Sequence, residues 1–214
     1  AISPDGTTIA FTYKGDIYTV PSTGGRASQI TTNPAHDTKP IWSPDGKKIA
    51  FASDRMGSMD IFEVNKEGGI PKRLTTHSGN ETPVAYKDAG HILFLANIMP
   101  TAEDAQFPSG QFQQVYEVNT EGGRPILFSS MPMEDISINH TGNTLLYHDK
   151  KGYEDPWRKH HTSSITRDIW LCSLNGNRTF RKQTAFNGED RTPVWASDDK
   201  SFYYLSEEKG SFNI

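Results

Sequence analysis

Apolar and polar residues alternate along this chain in short bursts broken by turn residues, and the bursts recur as a unit. The stretch "IWSPDGKKIAFASDRMGSMDIFEVNKEGG" (Ile41–Gly69) has a shorter echo at the start, "AISPDGTTIAFTYKGDIYTVPSTGG". Five copies align on one turn: Gly6, Gly46, Gly90, Gly142 and Asp199 stand 40, 44, 52 and 57 residues apart. Each copy predicts four strands. A brief first strand ("KPIWS", "TPVAY", "TPVWA") runs into an S-P-D-G-type turn, where Pro presets φ, Asp bonds nearby backbone and Gly takes a conformation closed to most residues. The second strand ("KKIAFAS", "HILFLAN", "NTLLYHD", "SFYYLSE") is rich in branched and aromatic residues, as a sheet interior prefers. The third ("DIYTV", "DIFEV", "QVYEV", "DIWLC") leads through a Gly-rich hairpin to an outer fourth strand.

Period-two alternation repeated at this spacing predicts an all-β chain, a β-propeller of four-stranded antiparallel blades. The expected blades cover residues 1–32, 39–76, 82–129, 134–184 and 192–214, four whole and the last partial, in one incomplete domain. A propeller closes by pairing its last blade with its first. The expected whole is therefore six-bladed, with roughly 80–100 further residues at about 40 per blade. "AISPDG" starts in mid-pattern without Met, so a preceding segment is expected to have been removed. Helical periodicity is nearly absent. The one candidate is "DPWRKHHTSS", where Pro156 could open a first helical turn.

Charge narrows the function classes. The 22 basic and 26 acidic residues give a net charge of −4 with no run of five like charges, which argues against nucleic acid or a polybasic membrane anchor. No apolar stretch approaches the roughly 20 residues of a spanning helix. The lone Cys172 excludes an internal disulfide, fits no metal spacing, and reads as a buried small side chain in "DIWLCSL".

The pattern S-P-D-G-x-x-I-A-F-x-S-D-R-x-G-x-x-D-I-[FY] resembles the TolB-type, WD-like propeller repeat over the whole chain. Such repeats occur in TolB, in the non-catalytic half of prolyl oligopeptidase-like enzymes and in tricorn-type serine proteases. "DKKGYEDPWRKHHTSSITRDIWL" (Asp149–Leu171), "FNGEDRTPVW" (Phe186–Trp195) and the insertion "NIMPTAEDAQFPSGQFQQVYEV" (Asn97–Val118) look like the N-terminal propeller of bacterial tricorn-like proteases. That resemblance implies a parent serine peptidase with a PDZ module and an α/β core beyond these residues. It also implies a non-catalytic domain that guides peptide substrate or product and contacts that core. The alternatives are a stand-alone TolB-like interaction propeller of the cell envelope and a propeller cap of a prolyl oligopeptidase-like enzyme. The implied partners are a peptide or protein and the parent's protease core, with homo-oligomerisation open and neither nucleic acid nor a membrane span expected. The implied location is periplasm or cell envelope, with cytoplasm as the alternative.

No constellation spells out chemistry within the chain. His160 and His161 are adjacent, with His148, Glu154 and Asp155 near in sequence, but adjacent side chains diverge on either a strand or a helix. No H-x-x-x-H or H-E-x-x-H spacing supports a metal. "PSTGG" and "FPSGQ" both fail the G-x-S-x-G elbow of a serine nucleophile. No catalytic, cofactor-binding or metal residue is assigned, and no cofactor is expected. Asp16, Asp60 and Asp168, with Gln114 and Asn213 in matching slots, open the third strand of each repeat. They are either a polar ring around a pore or turn acceptors that build the blade. The two insertions are placed instead as recognition loops for a peptide or partner, or as docking elements onto the rest of the parent protein, because Met99, Phe107 and Phe112, and Tyr153, Trp157, Arg158, His160 and His161, have the aromatic and cationic character of interface anchors.

Overall fold

A computed structural model describes residues 1–98, 113–152 and 163–214, and every sheet in it is antiparallel with its strands in chain order. The first sheet holds β1 (Thr8–Tyr13), β2 (Asp16–Pro21) and β3 (Ser28–Gln29), with a single bridge from Ile2 to Ile9 in the place of an innermost strand. The second comprises β4 (Asp37–Trp42), β5 (Lys48–Ser53), β6 (Asp60–Asn65) and β7 (Lys72–Arg73). The third comprises β8 (Glu81–Asp88), β9 (His91–Ala96), β10 (Gln114–Asn119) and β11 (Ile126–Ser129). The fourth holds β12 (Met133–Ile138), β13 (Thr144–Asp149), β14 (Ile169–Ser173) and β15 (Thr179–Lys182). The last pairs β16 (Asp190–Trp195) with β17 (Phe202–Ser206), and Ser206 bridges to Asn213. The chain is an all-β protein built of propeller-type sheets. Among the described residues no helix is long and apolar enough to cross a membrane.

The turns show how the repeat is written. Ser43 Oγ accepts Lys48 N–H at 2.9 Å and donates to Asp45 at 2.8 Å, while Asp45 accepts Lys47 N–H at 3.1 Å. Ser3, Asp5, Thr7 and Thr8 repeat this plan, and in the fourth copy the Asn139 side-chain oxygen accepts both Asn143 and Thr144 N–H. Gly46 has φ 67°, and Asp199, its counterpart in the last copy, has φ 53°. Asp199 meets the cost of that left-handed conformation with bonds to the N–H groups of His140 and Thr141. Gly90 is the exception and lies outside the left-handed region. The third turn is a shorter hairpin in which Asp88 pairs with His91 and accepts Gly90 N–H.

Two compact units divide the sheets, the first three in one and the last two in the other. In the first unit β4 packs on β1, β2 and β8, and β5 and β6 also reach β8, so the second sheet is covered on both faces. One apolar cluster joins Ala10, Ile17, Trp42, Phe51 and Phe62; another joins Ala50, Ile61, Ile92, Phe94 and Tyr116. In the second unit β16 packs on β12, β13 and β14, and Leu145, Leu146, Tyr147, Ile169 and Cys172 are wholly buried.

Three joints between consecutive sheets share one bonding plan. The N–H of the acid that opens a sheet donates to a carbonyl just ahead of the preceding sheet's third strand: Asp37 to Gly15 (2.7 Å), Glu81 to Met59 (2.7 Å), Asp190 to Arg167 (3.1 Å). A threonine after the fourth strand accepts an N–H of the third: Thr31 from Ile17 (2.9 Å), Thr75 from Ile61 (2.8 Å), Thr184 from Ile169 (3.2 Å). Backbone groups that the ladder cannot reach are thereby satisfied.

Candidate functional site

The recognition residues expected from sequence (Met99, Phe107, Phe112, Tyr153, Trp157, Arg158, His160 and His161) lie outside the described residues, as do Glu154, Asp155 and the candidate helical turn at Pro156. What is described is the stem on which the second insertion stands, between the end of β13 and the start of β14.

The stem is bonded across its base. Asp149 N–H donates to Asp168 O at 3.2 Å, and Asp168 N–H donates back to Asp149 Oδ1 at 2.8 Å. Asp149 Oδ2 takes Trp170 Nε1–H at 3.1 Å. Lys151 Nζ donates to Thr166 O at 2.7 Å and to Asp168, and Lys182 reaches the other Asp168 oxygen at 2.8 Å. Two ammonium groups thus meet the one buried carboxylate of Asp168. A polar cavity of about 330 Å³ opens beside the stem, lined by Lys151, Thr166, Asp168, Lys182, Phe186 and Asn187.

Behind the stem lies a second network, centred on His148 near the end of β13. Its ring is nearly buried. Nε2 stands 3.2 Å from Glu134 Oε2, and Nδ1 accepts the N–H of Thr192 at 3.2 Å. An N–H can bond only a bare nitrogen, so the ring is the neutral tautomer with its proton on Nε2. Lys150 bonds the other Glu134 oxygen at 2.7 Å, and Arg167 bonds Glu189 at 2.6 Å. The hydrogen bond from His148, with Lys150 beside it and against the cost of burial, holds the Glu134 carboxyl down at about 2. Thr192 Oγ1 donates to Asp135 at 2.8 Å. Asp135 (φ 48°) and Thr192 (φ 55°) are left-handed residues at the bulges of β12 and β16.

The acids that open the third strands are spent within the sheets. Asp16 accepts from Gln29 and Thr31, Asp60 pairs with Arg73, and Asp168 is held as described. Gln114 accepts Tyr116 Oη–H, and Asn213 pairs with Ser206 through backbone. Sequence reasoning missed Asp37, Glu81 and Asp190, the acids that open the following sheets. The signal was present in "DTKP", "ETP" and "DRTP", an acid two or three residues ahead of a proline in three copies. It also missed Glu134, Asp135 and Thr192, whose contacts with His148 only the fold assembles.

Among the described residues no group of three or more His, Cys, Asp or Glu could hold a metal ion. Both nitrogens of the His148 ring are engaged within the fold, Nε2 with Glu134 and Nδ1 with Thr192 N–H.

The sequence profile of the tricorn protease N-terminal β-propeller domain matches residues 2–214. Tricorn protease homolog 1 of Streptomyces coelicolor is 25% identical over 209 residues, 97% of this chain and 19% of that protein. The crystal structure of the tricorn protease superposes with a TM-score of 0.67 at 20% identity, over 96% of this chain and 20% of that one. A putative TolB from Agrobacterium tumefaciens gives 0.62 at 23% identity, over 95% and 71%. These structural likenesses concern the fold, and the chain spans about a fifth of its tricorn relative. The chain belongs to the family of tricorn protease N-terminal β-propeller domains.

Proposed function

We propose that this chain is the non-catalytic propeller part of a tricorn-type serine peptidase, guiding peptide substrate or product and bearing on the protease core. The observation that carries the reading is the stem at Asp149–Lys151 and Thr166–Asp168, which joins both ends of an insertion to a buried, fully bonded base. Recognition segments work when a rigid scaffold presents them. The lack of a G-x-S-x-G elbow in the sequence supports a role outside the chemical step. The aromatic and basic residue types in the insertion's sequence are those suited to recognising peptide backbone and a protein surface.

The test is the reading frame of the source gene beyond residue 214. A serine peptidase core is expected there, and its absence overturns the proposal. With the full protein in hand, replacing residues 153–162 by a short Gly-Ser linker should slow cleavage of long peptides more than of short ones. Equal rates for both lengths would remove the guiding role.

The second reading is a TolB-like interaction propeller of the periplasm or cell envelope, favoured by the likeness to a TolB structure of which this chain covers 71%. It expects a reading frame that stops soon after the ring closes, and fractionation of the parent protein to the envelope rather than the cytoplasm.

A further inference from the structure

We propose that His148 is a pH-operated latch between the last two sheets, exchanging the Thr192 amide for the Asp135 carboxylate when its ring takes up a proton. The latch holds whichever reading of the parent protein is correct.

The argument begins with the hydrogen count on the ring. In the neutral state Nε2–H donates to Glu134 at 3.2 Å and bare Nδ1 accepts Thr192 N–H at 3.2 Å. A second proton can go only onto Nδ1. Two N–H groups would then face each other, and the bond that ties β13 to the bulge of β16 is lost. One acceptor waits beside it: Asp135 Oδ2 is 3.7 Å from Nδ1 and half exposed, with room to turn. That same oxygen receives the Thr192 hydroxyl at 2.8 Å. The imidazolium and Thr192 therefore compete for one carboxylate, and protonation weakens both bonds that hold Thr192.

The surrounding charges favour the exchange. Glu134 and Asp135 face the ring from β12. Lys150, just after β13, lies on Glu134, and Arg167, just before β14, stands 3.6 Å from Glu134 and 2.6 Å from Glu189. Three carboxylates against two cations leave the pocket one negative charge, which a proton on His148 cancels. Thr192 is also a strained element, a β-branched residue at φ 55° immediately before Pro193. Such a residue keeps its conformation only while its neighbours impose it. Released, the β16 bulge can relax towards extended backbone. Acidification loosens the inner edge of the last sheet while leaving the Glu134 contact intact.

The test is nuclear magnetic resonance on the full chain from pH 8 to pH 5. Ring nitrogen shifts should show Nδ1 bare at pH 8. The opposite tautomer overturns the proposal without any variant. Amide exchange of Thr192, corrected for intrinsic rate and compared with Trp195, whose N–H bonds Ser137 Oγ, should lose about tenfold protection as the ring titrates, the order of one lost hydrogen bond. In His148→Gln, whose side-chain oxygen can still accept Thr192 N–H, that protection should stay flat. Flat protection in the wild type, or the same loss in the variant, overturns the latch. Asp135→Asn keeps an acceptor for the Thr192 hydroxyl but not the charge, and should move the midpoint to lower pH. An unmoved midpoint removes Asp135 from the exchange and overturns the proposal as stated.

Discussion

Arg73 Nη2 stands 2.8 Å from Asp60 Oδ2 at the joint between the second and third sheets, and both Asp60 and Glu81 are wholly buried there. The arginine serves Asp60, while among the described residues Glu81 has no ion pair of its own. Neither carboxylate has a well-formed hydrogen bond. Two acids thus share one cation out of water, a costly arrangement unless one of them keeps its proton.

Glu81 is the one that keeps it. Burial, with the Asp60 charge adding and the Thr75 hydroxyl and Arg73 opposing, pushes its carboxyl up to about 7 from the usual 4.5. The folded state therefore binds this proton more tightly than the unfolded chain does. Its contribution is fully present below about 4.5 and is lost as pH rises to 7. Glu81→Gln, which mimics the protonated form, should match the wild type near pH 4.5. By pH 8 it should be more stable by an amount on the order of 3 kcal/mol. Urea unfolding of both proteins at the two pH values checks this. A stability difference that does not change with pH would rule out Glu81 as the titrating group.

The joint one sheet earlier makes the opposite bargain. Arg55 Nη2 bonds both oxygens of Asp37 at 2.9 Å, its Nε bonds Ser53, and its guanidinium lies 4.5 Å from the Phe62 ring centre. Removing it leaves a wholly buried carboxylate without its cation, so Arg55→Ala should cost about 3–5 kcal/mol. Arg55→Lys restores charge without the planar stack and should recover only part of that. Thermal unfolding of the two variants decides it. Equal stability of Arg55→Lys and the wild type would show that charge alone matters at this joint.

Turn conformation gives a smaller, local effect. Gly46 sits at φ 67°, where an added Cβ would meet only Pro4 at an ordinary 3.7 Å. Gly46→Ala should therefore lose about 1–2 kcal/mol through backbone conformation rather than a clash. Gly90, outside that region, should tolerate alanine with a smaller loss. Denaturant midpoints of the two variants should differ in that order, and the reverse order would undo the assignment of the third turn as a different hairpin.

What the sequence made legible was what is written locally. The S-P-D-G turns, the strands on either side of them and their 40-residue spacing follow from bonds between residues two to five apart, such as Ser43 with Asp45 and Lys48. Of the joints only a recurring acid ahead of a proline was legible, and its surroundings were not, because Glu81 meets Asp60 and Arg73 from the preceding repeat and each side chain looks like an ordinary strand-end acid or base. The His148 network was further out of reach. Its key bond spans 44 residues, and the cluster seen in sequence pointed instead to His160 and His161. Local patterns report turns and strands, whereas the polar core of a repeat protein forms between repeats, where no single copy carries the signal.

The stem of the second insertion tests how much that polar core contributes. Asp149 accepts Asp168 N–H through one oxygen and Trp170 Nε1–H through the other, and lies 3.5 Å from Lys151 Nζ. Asp149→Ala would leave a buried backbone N–H and an indole N–H without acceptors, each an uncompensated loss of about 1–3 kcal/mol. Asp149→Asn keeps one acceptor oxygen and loses the charge facing Lys151. The expected order of stability is wild type, then Asn, then Ala, with the alanine variant down by about 2–4 kcal/mol. Trp170 donates its indole N–H to this carboxylate, so its fluorescence should shift in the alanine variant at native conditions. Were Asp149→Ala as stable as the wild type with an unchanged spectrum, the stem would not be the rigid mount that the proposed guiding role requires. The recognition function would then have to be sought on the first insertion or elsewhere in the parent protein.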